Sequence, residues 1–122
     1  MAASYSIIIL SCDNDLHLAK HIDQSFDVLM TTDEALCMQA LSANKHQLVL
    51  VDMNCSSIPA ATICQNIKLD FDIPVIFVSS KDCNTERLEA YDCGADDYLG
   101  VDDLSTELHG RLERIIINKI AN

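Results

Sequence analysis

Basic residues are scarce in this 122-residue chain: eight lysines and arginines stand against nineteen aspartates and glutamates, a formal net charge of −11. So acidic a chain repels nucleic-acid phosphates, which argues against direct nucleic-acid binding; a basic protein partner or a bound cation is compatible with it, and solubility alone is the simpler and favoured explanation of the charge. No apolar run is long enough to cross a bilayer. The first apolar run lacks a basic flank and ends in aspartates, which disfavours a signal peptide, so the chain reads as cytoplasmic. The six cysteines, at 12, 37, 55, 64, 83 and 93, contain no C-x-x-C pair, and no His/Cys cluster has zinc spacing. They read as small buried apolar residues in a reducing compartment. His17 and His21 stand four apart with no third ligand near and read as solvent-facing. Internal repeats, low-complexity segments and linkers are also lacking. With a hydrophobic fraction of 49%, residues 1–122 are expected to form one domain around a single core.

What is present is a regular alternation of short apolar runs and helical patterns, which points to a parallel sheet covered on both faces. Strands are expected at Ser6–Leu10, Asp27–Met30, Leu48–Val51, from Pro74 to Val78, and at Asp97–Gly100. Helices are expected at about Asp15–Gln24, with Leu18 and Ile22 inward, and at Asp33–Ala43, burying Leu36, Ala40 and Leu41. A third helix, capped by Ser56-Ser57, reaches about Leu69 with Ile63 and Ile67 inward. A fourth spans Asn84–Cys93 and ends at Gly94, the residue favoured for a left-handed cap. The last, Leu104–Ile120, buries Leu108, Leu112, Ile115 and Ile116. The fold class is therefore α/β, a flavodoxin-like (βα)₅ unit whose five parallel strands take the order 2-1-3-4-5. That order sets strands 1 and 3 side by side, so Asp13, Asn14 and Asp52 meet at one crevice.

Crowded carboxylates either raise a pKa or recruit a hard cation, and magnesium is satisfied by two or three protein oxygens plus water. A carboxylate beside magnesium can also attack a phosphoryl group and form an acyl phosphate. Ser79, at the mouth of the next strand, can donate a hydrogen bond to a phosphoryl oxygen. An aspartate after a parallel strand is often no more than a helix cap, and for Asp52 alone that reading would prevail. The joint pattern at three strand ends favours a functional crevice.

These residues resemble a family, the receiver domains of two-component response regulators, over essentially the whole chain. Ile9-Leu10-Ser11-Cys12-Asp13-Asn14-Asp15 resembles the family's first-strand acidic motif, and Leu48-Val49-Leu50-Val51-Asp52-Met53-Asn54 its phosphoacceptor strand. The segments Ile73–Asp82 and Gly94–Leu99 are similar to its fourth- and fifth-strand motifs. The resemblance implies that Asp52 is the phosphoacceptor. It implies a magnesium site in which Asp13 holds a metal-bound water, Asn14 and Asp52 bind directly, and Asn54 contributes its backbone carbonyl. It makes Ser79 the hydroxyl that follows the phosphoryl group and Tyr98 the aromatic switch. The implied partners are proteins: a histidine kinase, a phosphotransfer protein or an output domain. No membrane partner and no enzymatic activity are implied.

The departures from the family pattern are specific. Asn14 stands where the family has a second aspartate, Val101 where it has a lysine, Asp102 where it has a proline, and Ser56-Ser57 where it has Pro-Gly. Lys81 follows Ser79 closely, and its side chain is expected to point to solvent. Magnesium binding is therefore expected to be weak or absent. The favoured reading is a degenerate receiver that acts through protein–protein contacts with weak or absent phosphorylation at Asp52. The alternative is a working phosphoacceptor taking its phosphoryl group from a histidine kinase. A remote third, an aspartate-nucleophile phosphatase of the haloacid dehalogenase type, would need Asp-x-Asp where this chain has Asp52-Met53-Asn54. Finally, Arg87, Asp97, Glu107 and Arg111 carry opposite charges on the face of the fourth helix, fifth strand and last helix, where a large receiver subfamily forms a two-fold dimer. A weak homodimer through that face is a further expectation, set against solvated surface charge as an equal reading.

Overall fold

A computed structural model describes residues 5–11, 22, 26–53, 59–79, 84–100 and 104–121. The elements run β1 (Tyr5–Leu10), β2 (Phe26–Thr31), α1 (Glu34–Ser42), β3 (Leu48–Asp52), α2 (Ala60–Asp70), β4 (Val75–Ser79), α3 (Asn84–Asp92), β5 (Asp97–Gly100) and α4 (Leu104–Ala121). All five strands are parallel and lie in the order β2-β1-β3-β4-β5. This is the flavodoxin-like arrangement expected from the alternation. Of the helix expected over Asp15–Gln24, only Ile22 is described, and it is buried.

The three central strands are apolar at almost every position because a parallel sheet covered on both faces buries both sets of alternating side chains. One set, Ile8, Leu10, Val49, Val51, Val75, Phe77 and Tyr98, packs with α1 and α2 through Cys37, Leu41, Ile63, Cys64 and Ile67. The other, Ile7, Ile9, Leu48, Leu50, Ile76, Val78 and Leu99, packs with Leu108, Leu112 and Ile116 of α4. Burial pushes the Cys37 thiol up to about 11 and the Cys64 thiol up to about 12. Both stay protonated and serve as small apolar core residues, as does buried Cys93. The other three cysteines lie outside the described residues.

Four details differ from the sequence-based expectations. In α1, Leu36 is 53% exposed and Ala40 only half-buried, and Cys37 takes the inward place with Leu41 four residues on. One residue is about 100° of helix, so Leu36 is turned away from the sheet. The helix α2 begins at Ala60 behind Pro59, whose φ of −57° is preset for a helix start, whereas Ser56-Ser57 lie outside the described residues. The strand β4 begins at Val75, and Pro74 precedes it, its carbonyl accepting from the Val49 amide at 3.0 Å. Ile115 is half-buried at the edge of the core.

Two capping features terminate helices as expected. Asp33 Oδ1 accepts from the Ala35 amide at 2.8 Å at the start of α1. After α3, Gly94 has φ +97°, its amide donates to the Tyr91 carbonyl and the Ala95 amide to the Ala90 carbonyl. That pair of bonds is the Schellman arrangement. Asp96 then ties the approach to β5: its Oδ2 accepts from the Val75 amide and from Lys68 Nζ, both at 2.8 Å. None of the described helices is long and apolar enough to cross a membrane.

Candidate functional site

Register fixes which residues meet at the carboxyl edge of the sheet. Leu10 pairs with Val51, Asp52 with Val78, and Ser79 with Gly100, so β4 and β5 finish level, β3 one residue short of them and β1 two residues short. Met53 continues the ladder one step past Asp52, its amide donating to the Val78 carbonyl at 2.9 Å. Ser11 is likewise anchored beyond β1, its amide donating to the Thr31 carbonyl at 3.0 Å.

Asp52 is only 3% exposed, and a buried carboxylate is tolerable only where polar groups solvate it. Ser11 supplies one: its Oγ donates to Asp52 Oδ2 at 3.2 Å. Side chains alternate across a sheet, so Asp52 continues the row of Leu48 and Leu50, and Ser11 that of Ile7 and Ile9. A cavity lined by Ser11, Met30, Thr31 and Thr32 opens beside this pair.

A second polar group is built on the opposite row, that of Val75 and Phe77. Ser79 is fully buried at the end of β4, and its hydroxyl donates to Glu86 Oε1. Tyr98 on β5 is 1% exposed, its ring turned into the core, and its hydroxyl donates to the same Glu86 oxygen at 3.4 Å. The Arg87 guanidinium lies over the Tyr98 ring, 4.8 Å from its centroid, in cation–π contact. Consecutive residues of α3 thus hold the tyrosine by its hydroxyl and by its face.

A third group lies outside the crevice. Arg111 Nη1 donates to both Asp97 oxygens at 2.9 and 2.8 Å, and its Nη2 to Glu107 at 2.9 Å. The Asp97 hydrogen bond is the main cause that raises the Arg111 pKa further above its ordinary value, against a smaller opposing effect of burial. Of the charges expected on the dimer face, Asp97, Glu107 and Arg111 are therefore paired with one another, and Arg87 packs on Tyr98.

The structure thus places Asp52 and Ser79 at the carboxyl edge of the sheet and Tyr98 two residues before the end of β5, level with Phe77, and joins Ser79 and Tyr98 through Glu86. Asp13, Asn14, Asn54, Lys81 and Val101 lie outside the described residues. Among the described residues no three His, Cys, Asp or Glu side chains come together as a metal-binding group. The oxygen donors named from the sequence are of the kind magnesium takes, and Asp52 is the described member of that set. Two contributors escaped the sequence reading. Ser11 stood inside a quoted motif without a role. Glu86 sits in the first turn of α3, where a carboxylate is favoured by the helix dipole alone, so its composition and spacing carried no further signal.

Comparison with known proteins agrees with this geometry. The family model described as the response regulator receiver domain matches residues 9–109. Among curated proteins, the chain is 25% identical over 101 residues to a heme response regulator, HssR, of Staphylococcus saprophyticus, covering 82% of this chain and 45% of that protein. It is 29% identical over 98 residues to the nisin biosynthesis regulatory protein NisR of Lactococcus lactis, covering 78% of this chain and 43% of the relative. The chain spans about half the length of the curated relatives it matches. Among solved structures, the signal receiver domain of an HD domain-containing protein from Pseudomonas fluorescens aligns with a TM-score of 0.82 at 13% identity, over 99% of this chain and 93% of that one. The BeF3-activated N-terminal receiver domain of Klebsiella pneumoniae RstA aligns with a TM-score of 0.73 at 21% identity, over 91% and 97%.

Proposed function

The chain belongs to the response-regulator receiver family, and from that premise we propose that it is a degenerate receiver of two-component signalling, acting through protein contacts with weak or absent phosphorylation at Asp52. The observation that carries this reading is Val101. It directly follows Gly100, the β5 residue paired with Ser79, so the chain delivers an apolar side chain where the family delivers a lysine. Phosphoryl transfer is catalysed almost entirely by positioning and by cations set against developing negative charge. Removing one such preorganised donor costs about 3–4 kcal/mol of transition-state stabilisation, on the order of 10²- to 10³-fold in rate.

In this reading Asp52 is the nucleophile and Ser79 and Tyr98 are the switch pair. Asp13, Asn14, Asp52 and the Asn54 carbonyl form the magnesium site, which would supply charge neutralisation when filled. An amide at position 14 lacks the formal charge of the family's aspartate, which lowers affinity for the cation. The partners we infer are a histidine kinase, a phosphotransfer protein or an output domain. The working-phosphoacceptor reading keeps one point in its favour, the intact set of Asp52, Ser79 and Tyr98.

Acetyl phosphate with magnesium, read by intact-mass spectrometry, separates the two. Wild type should be modified on the order of 10²-fold more slowly than Asn14→Asp with Val101→Lys. Adding Asp52→Ala to the restored chain should abolish the signal. Equal modification of wild type and the restored chain would sink the degenerate reading.

A further inference from the structure

We propose that Glu86 is a positioning residue that holds Ser79 and Tyr98 in the inward arrangement, so that a carboxylate of α3, rather than modification of Asp52, sets the position of the ring. The inference rests on the reading of Ser79 and Tyr98 as the switch pair. Three independent features lead to it. Both hydroxyls converge on one oxygen of Glu86, and both belong to residues that are essentially fully buried. Buried hydroxyls require a partner, and Glu86 gives one to each. The next residue of the same helix, Arg87, covers the face of the same ring. Finally, Ser79 and Tyr98 lie on the sheet row of Val75 and Phe77, whereas Asp52 continues the row of Leu48 and Leu50 and has Ser11 as a donor.

A bare first-turn glutamate would need only solvent and the helix dipole. This one is half-buried and reaches a serine at the end of β4, seven residues earlier, and a tyrosine within β5, twelve residues later. A serine hydroxyl carries a single proton. Any phosphoryl group on Asp52 would therefore compete with Glu86 for the Ser79 hydrogen bond, and the inward ring needs no phosphoryl group to hold it. In a chain whose Asp52 is modified poorly, such a carboxylate keeps the face around β5 in one fixed state for a protein partner to read.

The test uses the full chain with ring-labelled tyrosine and a soluble paramagnetic agent, reading the relaxation of Tyr98 against half-exposed Tyr91 by NMR. Glu86→Leu keeps the bulk and removes the acceptor, whereas Glu86→Gln keeps an acceptor oxygen without the charge. We expect Tyr98 to be shielded in wild type, in Glu86→Gln and in Asp52→Ala, and to relax severalfold faster in Glu86→Leu, approaching Tyr91. Shielding in Glu86→Leu equal to wild type, or release of the ring by Asp52→Ala, would overturn the proposal. Should Glu86→Leu fail to fold, wild type alone decides it. Through-space coupling between the Tyr98 ring and the Glu86 side-chain protons is expected, and its absence refutes the contact. Acetyl phosphate modification is followed by mass in the same samples. Efficient modification of wild-type Asp52 would end the degenerate reading while leaving the ring result to stand or fall on its own.

Discussion

At the end of β3 a carboxylate is buried to 3% exposure in a strand that is otherwise Leu48-Val49-Leu50-Val51. An apolar residue there would pay no polar desolvation, so the buried aspartate carries an energetic cost that its hydrogen bonds must offset. Ser11 offsets part of that cost with its 3.2 Å hydrogen bond. Removing a donor to a buried charged group leaves the charge less well solvated, which typically destabilises by about 1–3 kcal/mol. Ser11→Ala should therefore lower the urea midpoint by an amount equivalent to about 1–2 kcal/mol. In an Asp52→Ala background the same substitution should cost much less, because no carboxylate remains to be solvated. Equal losses in the two backgrounds would place the effect of Ser11 somewhere other than this bond.

At the scale of elements, parallel strands were the most legible part of the sequence. Buried on both faces, β3 and β4 are unbroken apolar runs, and β5 begins and ends at the residues its pattern indicates. Helix phase was less legible. Leu36 is more hydrophobic than Cys37, so a pattern weighted by side-chain type turns α1 by one residue, although Cys37 and Leu41 are what the sheet receives. The candidate site divides in the same way. Asp52 and Ser79 end their strands, Tyr98 lies within β5, and all three follow from topology, whereas Glu86 acts by reaching from a helix to two strands, and no local spacing encodes that contact. The cap of α3 is local and was readable: only a residue at ease with φ +97° closes it without strain. A Cβ at Gly94 would meet no atom within 4 Å, so Gly94→Ala isolates the backbone cost. That cost is about 1–2 kcal/mol, which should lower the melting temperature by roughly 3–10 °C without changing the m-value. A melting temperature equal to wild type would mean that the chain finds another way to close α3.

At the scale of the whole molecule, three of the six described lysines and arginines form ion pairs within the chain. Lys68 pairs with Asp96, Arg111 with Asp97 and Glu107, and Lys119 with Asp72. These are partly exposed pairs, each worth little to stability, and their larger effect is to leave a surface dominated by negative charge. Around β5 that surface changes character. Leu88 is 64% exposed and Tyr91, three residues on along α3, is 46% exposed, with the Tyr91 hydroxyl 3.4 Å from Asp97. An apolar pair beside a paired Asp97–Arg111–Glu107 cluster has the make-up of a small interface, with apolar contact at the centre and charge at the rim. It is also the outer side of the element whose inner side holds Tyr98, so a partner seated there would sense the position of the ring. If a second copy uses this face, sedimentation at rising concentration should show a weak dimer. Since the ion pairs are already satisfied within each chain, salt should weaken that dimer only modestly, while Leu88→Lys, which sets a charge in the apolar centre, should abolish it. A chain that remains monomeric at millimolar concentration, or a dimer indifferent to Leu88→Lys, would remove self-association from this face and leave it to a different protein.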